Sequence, residues 1–226
     1  MLTERLITDV LLAALSTGGD FAEIFAEDTY NTAIRMIKGK VEEGVTGRDY
    51  GVGIRVFQGT KSVYAYTNDT ARENLMKVAM EAAAALEGSH RVGSIVLARL
   101  AVEKFNPIVM EPGQVTQKEK VGVMRKAHEA ASGYHEQISQ VTVNYLDTDQ
   151  NVLIANSEGL VAEDRRVRTR LSIHAVATKG AEKQSGFYGP GRHMGFEFFD
   201  KIDIEEYAAE AARIAVTMVN ADYAPS

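Results

Sequence analysis

Cysteine is absent from all 226 residues of this chain. Its absence excludes thiolate zinc ligands, catalytic thiols and disulfide bonds. A lack of disulfide bonds is typical of proteins in a reducing cytosol. A long uncharged apolar run is also missing near the start, because Glu4, Arg5 and Asp9 interrupt the apolar segment 2–15. A secretory leader or a membrane span needs a longer uncharged stretch, so we expect a cytoplasmic protein without a membrane partner.

Basic residues are scarce as well, with 25 Lys and Arg against 31 Asp and Glu and a formal net charge of -6. Proteins that bind nucleic acid through its phosphates normally carry a basic surface. The charge balance therefore predicts no nucleic-acid partner. Hydrophobic residues make up 45% of the chain, which is enough for an ordinary folded core.

Four segments show the 3.6-residue periodicity of amphipathic helices. The predicted apolar stripes are Ile7, Leu11, Ala14 and Leu15; Leu75, Ala79, Ala82 and Leu86; Val121, Met124 and Ala127; and Tyr207, Ala211, Ile214 and Met218. Capping-box spacing predicts helix starts at Thr70 with Glu73 and at Thr116 with Glu119, and Asp203 is expected to begin the last helix. Gly88 and Gly133 are predicted helix ends.

Other segments alternate apolar and polar residues with the two-residue period of half-buried strands. Such segments lie at 22–27, 52–57, 63–66, 141–145, 152–154 and 160–178. Turns are predicted at Lys38 to Lys40, at Gln58 to Thr60 and at the polar stretch Asp147 to Asn151.

The order of helix, strands, helix occurs twice along the chain. It predicts an α+β protein of two lobes, each an antiparallel sheet with helices packed on one face. We expect an N-terminal domain at 1–90, a connection at 91–113 that follows Gly88 and Ser89, and a second domain at 114–226.

Two sequence patterns suggest metal sites but do not fit them. His128 and His135 are seven residues apart, whereas a zinc helix needs its histidines at i and i+4. Asp147, Asp149, Asn151 and Glu158 match four positions of a calcium loop. That loop needs glycine where Val152 stands, so a hairpin turn is favoured. We predict no catalytic residue and no metal ligand in this chain.

Three arginines, Arg166, Arg168 and Arg170, alternate with apolar residues and are expected to share one strand face. That face is either simply solvated, beside the acidic pair Glu163 and Asp164, or it binds carboxylates of a peptide or a partner. The glycine-rich stretch that follows does not reproduce a dinucleotide-binding fingerprint. It is either a plain connection or a substrate-facing loop, and Gly189, Gly191 and His193 are its candidate contact residues.

Several segments taken together resemble the TldD/PmbA family, long labelled modulators of DNA gyrase, and the TldD branch more than the PmbA (TldE) branch. They are Asp20 to Glu23, Arg35 to Glu42, Gly51 to Phe57, Thr67 to Asp69, Ile154 to Gly159, Glu163 to Arg168, Gln184 to Gly186 and Gly189 to Glu197. Each match is short, but their order and spacing cover roughly 20 to 200.

The resemblance implies a zinc metallopeptidase that cleaves unfolded peptides, built from an N-terminal, a central and a C-terminal domain. Its zinc site is a His-Glu-x-x-x-His helix with a further Cys ligand, and this sequence contains neither. The chain is therefore expected to stop, at Ala224 to Ser226, before the metal-binding domain and to be inactive alone. Zinc is expected only in the complete family protein.

The resemblance also implies a dimer, either with a TldE/PmbA-like subunit or with a second copy, that handles unfolded peptide. Two other hypotheses remain open at the level of sequence. One is a non-catalytic module that binds a folded partner, and the other is a gyrase-associated role suggested by the family's older label.

Overall fold

The computed structural model describes residues 2–86, 88, 92–103 and 106–222. Ser89 and the final stretch Ala224 to Ser226 lie outside the described residues. The α-helices are α1 (Glu4–Ala14), α2 (Arg72–Ala84), α3 (Gln117–Gly133) and α4 (Ile204–Val219). The strands are β1 (Phe21–Ile37), β2 (Lys40–Gln58), β3 (Lys61–Thr67), β4 (Ala98–Leu100), β5 (Ile138–Asn156), β6 (Leu160–Lys179), β7 (Glu182–Tyr188) and β8 (Gly191–Arg192). Short 3-10 helices cover Pro112–Gln114 and Phe196–Asp200.

The α+β fold class is confirmed. The strand order is β3-β2-β1-β5-β6-β4, and β7 and β8 also pair with β6. Strand β3 pairs antiparallel with β2, and β7 pairs antiparallel with β6. The short strand β4, which lies in the predicted connection, pairs parallel with β6.

Contacts along the chain group its residues into two compact units. Unit 1 comprises Met1–Thr29, Arg48–Lys104 and Gln150–Arg165, and unit 2 comprises Tyr30–Gly47, Phe105–Asp149 and Arg166–Ser226. Each unit thus combines segments that are distant in sequence, and the long strands contribute residues to both. The division of the chain into domains at 91–113 stays a prediction.

Each unit has its own hydrophobic core between its helices and one face of its strands. In unit 1 the core contains Ile7, Leu11, Ala22, Ile24, Val52, Ile54, Leu75 and Ala79. In unit 2 it contains Ile34, Met36, Met124, Ala127, Val143, Leu171, Ile173, Ala208 and Ala211. Helix α1 packs on α2, and α3 packs on α4. The predicted stripes of α1, α2 and α3 are therefore the faces that the helices turn to their cores.

Two of the three predicted turns are confirmed. Lys38 and Gly39 both have positive φ, 49° and 76°, as a two-residue hairpin turn between β1 and β2 requires. Gly59, with a φ of 55°, begins the turn between β2 and β3.

The third predicted turn, Asp147 to Asn151, is wrong. Strand β5 runs without interruption from Ile138 to Asn156. Asp147 occupies a buried, inward-facing position of β5. A polar residue is accommodated there because Lys120 of α3 donates a hydrogen bond to its carboxylate at 2.6 Å. A polar residue in a strand was thus mistaken for a turn residue because its partner is 27 positions away.

The capping box at Thr116 and Glu119 is confirmed, whereas the one at Thr70 and Glu73 is wrong. Helix α2 begins after Ala71, which makes no side-chain cap. The Thr70 hydroxyl bonds the Tyr50 hydroxyl instead, at 2.9 Å. At the other end, α2 stops at Ala84, so Gly88 does not end it, whereas Gly133 is the last residue of α3.

The predicted stripe of α4 is displaced around the helix. Met218 is 49% exposed, and the buried residues are Ile204, Ala208, Ala211, Ala212, Ala215 and Val219. The small alanines let α4 approach β7 closely at Gly186. A β-carbon on Gly186 would contact the Ala211 carbonyl oxygen and lie 2.6 Å from the Ala215 amide nitrogen. The close packing of α4 on β7 decides which face of the helix is buried, and the periodicity of the sequence does not show this.

No helix in the described part of the chain is long and apolar enough to span a membrane.

Gly186→Ala is predicted to destabilise the protein by about 1–3 kcal/mol or more, because the added methyl group meets helix backbone that has no room to move. Gly122→Ala is the matched control, since nothing lies within 4 Å of a β-carbon at this helical position. That control is expected to stabilise by up to about 1 kcal/mol through helix propensity. Urea unfolding of both variants checks the pair, and equal effects would contradict the close contact of α4 with β7.

Candidate peptide-contact surface

Strand β6 presents the three predicted arginines on the face opposite to the core of unit 2. Val167, Thr169 and Leu171 are buried, and Arg168 and Arg170 between them are exposed. Arg166 is half-buried and has contacts of its own. We call these three residues, Arg166, Arg168 and Arg170, the arginine face.

The side chains of Arg168 and Arg170 have no hydrogen-bond or ion-pair partner within the described part of the chain. Glu163, one of the two acidic residues that precede the arginines on β6, pairs with Arg99 at 3.2 Å. Both guanidinium groups therefore keep their fork of donors available to solvent or to a ligand.

The glycine-rich stretch lies against the arginine face. Arg170 pairs with Gly191 in the β6–β8 register. A β-carbon on Gly191 would lie 3.2 Å from Arg170 Cβ, and one on Gly189 would lie 3.0 Å from Arg170 Nη2 and 2.7 Å from the Phe187 ring. The structure thus brings Arg170, Gly189 and Gly191 together, and the Arg170 side chain takes up space that side chains at the two glycine positions would need.

This stretch, residues 189–195, is anchored at several points, and we call it the glycine loop. The Leu171 amide donates to the Pro190 carbonyl at 3.0 Å, and the Thr169 hydroxyl donates to the Met194 carbonyl at 3.1 Å. His193 is exposed, and its Nδ1 lies 3.4 Å from the Asn106 amide nitrogen. No contact of the described residues joins His193 to the arginines, so it belongs to the loop alone.

Glu197 is the anchor that sequence analysis missed. Its carboxylate is buried and accepts hydrogen bonds from the amides of Met110 at 2.8 Å, Gly195 at 3.0 Å and Val109 at 3.3 Å. Burial alone would raise the pKa of Glu197, but these backbone donors outweigh it and hold the pKa below the ordinary value. Gly195 is only two residues away, but Val109 and Met110 are more than 80 residues distant, so the sequence gave little sign of this carboxylate's role.

A second buried polar group stands between α3 and β5. Lys120 Nζ and the Tyr145 hydroxyl both donate to Asp147 Oδ2, at 2.6 and 2.7 Å. All three residues are at most 6% exposed. Burial, and next the Asp147 charge, raise the pKa of Tyr145, so the phenol stays protonated and donates. This group fixes α3 on the sheet.

The candidate metal residues do not assemble into a site. His128 Nε2 lies 3.3 Å from the Ser132 hydroxyl, and burial lowers the pKa of His128. His135, beyond the end of α3, accepts a hydrogen bond from the Gln137 amide. Among residues 2–86, 88, 92–103 and 106–222, no group of three or more His, Asp or Glu side chains is arranged to hold a metal ion. The described residues therefore do not fit the metal that a metallopeptidase needs.

Two stretches of the chain match domains of one peptidase family. Residues 22–86 match PmbA/TldA metallopeptidase domain 1, and residues 111–219 match the PmbA/TldA metallopeptidase central domain. The chain belongs to the TldD/PmbA metallopeptidase family. The resemblance stated from the short motifs is thereby confirmed.

Similar proteins are longer than this chain. A metalloprotease of Methanothermobacter thermautotrophicus is 31% identical over 210 residues, which are 92% of this chain and 45% of that protein. A metalloprotease TldD homolog of Haemophilus influenzae is 25% identical over 92% of this chain and 44% of its own length. The chain thus spans less than half the length of these relatives.

Solved structures confirm the fold. A Thermotoga maritima protein described as a modulator of DNA gyrase superposes with a TM-score of 0.76 at 21% identity, covering 99% of this chain and 50% of that chain. TldE from Thermococcus kodakarensis superposes with a TM-score of 0.68 at 14% identity, covering 92% of this chain and 46% of that chain. At these low sequence identities the likeness shows a shared fold and nothing further.

Lys120→Met and Asp147→Asn are each predicted to destabilise the protein by about 3–5 kcal/mol, because each leaves one buried charge without its counter-charge. The double variant removes both charges and keeps an oxygen that accepts from Tyr145. We expect it to cost at least about 2 kcal/mol less than the sum of the single variants. Urea unfolding of the four proteins measures this coupling, and strictly additive losses would contradict the buried pair.

Glu197→Gln is predicted to cost about 1–3 kcal/mol at pH 7, because the amide replaces a carboxylate that three backbone donors bind. The folded-state pKa of Glu197 lies below its unfolded value of 4.5, so this stabilisation is complete above pH 4.5 and is lost as the pH falls through the folded pKa. The wild-type and Glu197→Gln proteins should therefore converge in stability at acidic pH.

Chemical denaturation along a pH series measures that convergence. Glu136→Gln is the matched control, because Glu136 is exposed and has no partner within the described residues. A Glu197→Gln difference that stays constant down to the acid-unfolding range would contradict the role given to the carboxylate.

Proposed function

We propose that this chain is the substrate-handling and assembly region of a TldD-type zinc metallopeptidase that cleaves unfolded peptides. In this proposal the zinc and the catalytic residues lie outside these 226 residues. Membership of the metallopeptidase family supports it, as does the share of less than half that the chain covers of its relatives. The lack of a suitable metal-ligand group among the described residues is consistent with it.

The arginine face beside the glycine loop is the observation that carries the peptide-handling part. Arg168 and Arg170 offer guanidinium donors that no described residue uses. Such donors bind carboxylates and backbone carbonyl groups of a peptide. Gly189 and Gly191 leave room for the Arg170 side chain to lie against the loop, which holds its guanidinium group in place for an extended peptide. In this proposal Arg166 and His193 border the peptide.

A partner subunit is the second part of the proposal. The partner is either a TldE/PmbA-like chain or a second copy of this chain, and together they enclose the peptide. Two α+β units suit that role, because assembly can proceed through one unit while peptide contacts the other.

Arg168→Ala combined with Arg170→Ala is predicted to weaken binding of a fluorescein-labelled unfolded peptide with acidic residues by at least about tenfold, because two charge-assisted contacts disappear. Fluorescence anisotropy at low salt measures the dissociation constant. Lys118→Ala with Arg125→Ala is the matched control. These exposed cations of α3 carry the same charge and have no hydrogen-bond or ion-pair partner among the described residues.

The control is expected to bind the peptide like the wild type. Equal weakening in both double variants would show a non-specific effect of net charge. A chain that ignores unfolded peptide but binds a folded partner tightly would instead support the rival hypothesis of a non-catalytic binding module.

A further inference from the structure

Strand β3 stands at the end of the strand order and, among the residues that the structure describes, pairs only with β2. Gln58 and Lys61 flank a two-residue turn and form a hydrogen-bonded pair, so Val63, Ala65 and Thr67 also direct their backbone groups to β2. The alternate residues Ser62, Tyr64 and Tyr66 therefore direct their N–H and C=O groups outward. We call this outward row the β3 edge.

The β3 edge lacks the usual protection of a free strand edge. Within the described part of the chain, the outward backbone groups make no hydrogen bond. Ser62 to Thr67 contain no charged residue, and Tyr64 and Tyr66 are 55% and 57% exposed. By contrast, β7 carries Glu182 and Lys183. An uncharged edge with exposed aromatics associates readily with another strand, so it is expected to be covered in the working protein.

Both tyrosines are held flat on the neighbouring strand. A β-carbon on Gly51 would lie 2.6 Å from Tyr66 Cζ, and one on Gly53 would lie 2.8 Å from Tyr64 Cζ. The Tyr66 hydroxyl donates to the Tyr50 carbonyl at 3.0 Å. Because the rings are already ordered, a partner that packs on them loses little side-chain entropy.

Opposite charges flank the β3 edge. Lys61 begins the strand, and Asp69 follows its end; both are exposed. Neither has an ion pair among the described residues, although Asp69 Oδ1 accepts from the Ala71 amide at 2.9 Å. In an antiparallel pair of two β3 strands, a two-fold axis at Ala65 brings Lys61 of each copy beside Asp69 of the other, which lies two residues beyond the end of β3 at Thr67.

The same axis sets Tyr64 of one copy opposite Tyr66 of the other. The outward N–H and C=O groups of these two residues then face each other and can form hydrogen bonds. Cross-strand aromatic pairs and opposite charges both stabilise sheets. An axis at Tyr64 would instead set Lys61 opposite Thr67 and lose both ion pairs. The β3 edge is thus complementary to itself in one register, as a two-fold interface requires.

We propose that the β3 edge is a dimerisation surface, which pairs antiparallel with the β3 edge of a second copy about a two-fold axis at Ala65. This inference rests on the assembly role proposed above and names its surface. An extended peptide would use the same backbone groups, but it would not supply both charges at the required spacing. We therefore assign the edge to the second copy.

Sedimentation velocity at low salt tests the register through its charges. Lys61→Glu and Asp69→Lys should each weaken self-association by at least about tenfold, because each sets two like charges face to face. An equimolar mixture of the two variants should recover a dimer. Across that mixed interface the introduced glutamate meets the introduced lysine, and the native Lys61 of one chain meets the native Asp69 of the other. Recovery also shows that both variants are folded.

Two substitutions at Tyr64 test the backbone contact. Tyr64→Pro removes an outward N–H without removing a bond to β2, so the strand pair survives while the edge is blocked. Tyr64→Ala keeps that N–H and removes only the ring. We expect the proline variant to lose the dimer and the alanine variant to weaken it less.

A wild-type chain that stays monomeric at every concentration tested would overturn the proposal, and so would a dimer that Tyr64→Pro leaves intact. If the wild type is monomeric and Tyr64→Pro abolishes binding of the labelled unfolded peptide, the edge belongs to an extended peptide instead. If Tyr64→Pro leaves peptide binding unchanged and Arg168→Ala with Arg170→Ala weakens it, the peptide-handling role stands even when the wild type is monomeric, so failure of the dimer surface and failure of the peptide-handling role are distinguishable.

Discussion

The long strands bury only one of their two faces, and both the arginine face and the β3 edge depend on this constraint. Successive side chains of a strand point to opposite faces, so burying Val167, Thr169 and Leu171 forces Arg168 and Arg170 outward. A shift by one residue would bury the guanidinium groups and expose the core. An unpaired buried charge costs far more than any strand pairing recovers, so the hydrophobic face fixes the position of the arginine face.

Buried polar groups add a second constraint, because each one accepts only a narrow placement of its partners. Asp147 stands at an inward position of β5 that Lys120 and Tyr145 satisfy, and Glu197 gathers backbone amides from two distant segments. Apolar contacts tolerate small shifts of a helix or loop, whereas these hydrogen bonds do not. The first group therefore aligns α3 with the sheet, and Glu197 places the glycine loop beside the arginine face.

Local patterns were sufficient for most elements of the fold. Alternation predicted parts of β1 and β2 and most of β3 and β6, and the capping residues predicted where α3 and α4 begin, because these signals lie within a few residues of one another. Failures occurred where distant residues decide. Asp147 was assigned to a turn because Lys120 is 27 residues away, and the stripe of α4 was displaced because Gly186 sets how closely the helix approaches. The arginine face was predictable as a face, but its proximity to the glycine loop was not.

At both the β3 edge and the arginine face, glycines make room for a large neighbouring side chain. Gly51 and Gly53 leave room for Tyr66 and Tyr64 to lie flat on β2, and Gly189 and Gly191 do the same for the Arg170 side chain. Glycine within a strand, as at Gly51, Gly53 and Gly191, costs roughly 0.5–1 kcal/mol relative to alanine, and Gly189 lies between two strands. A sheet selected for stability alone would carry β-branched residues at such positions. The glycines instead hold large side chains in place before any partner arrives, and this reduces the entropy that binding must overcome. The stability given up at these four positions is best explained as the cost of two pre-ordered contact surfaces.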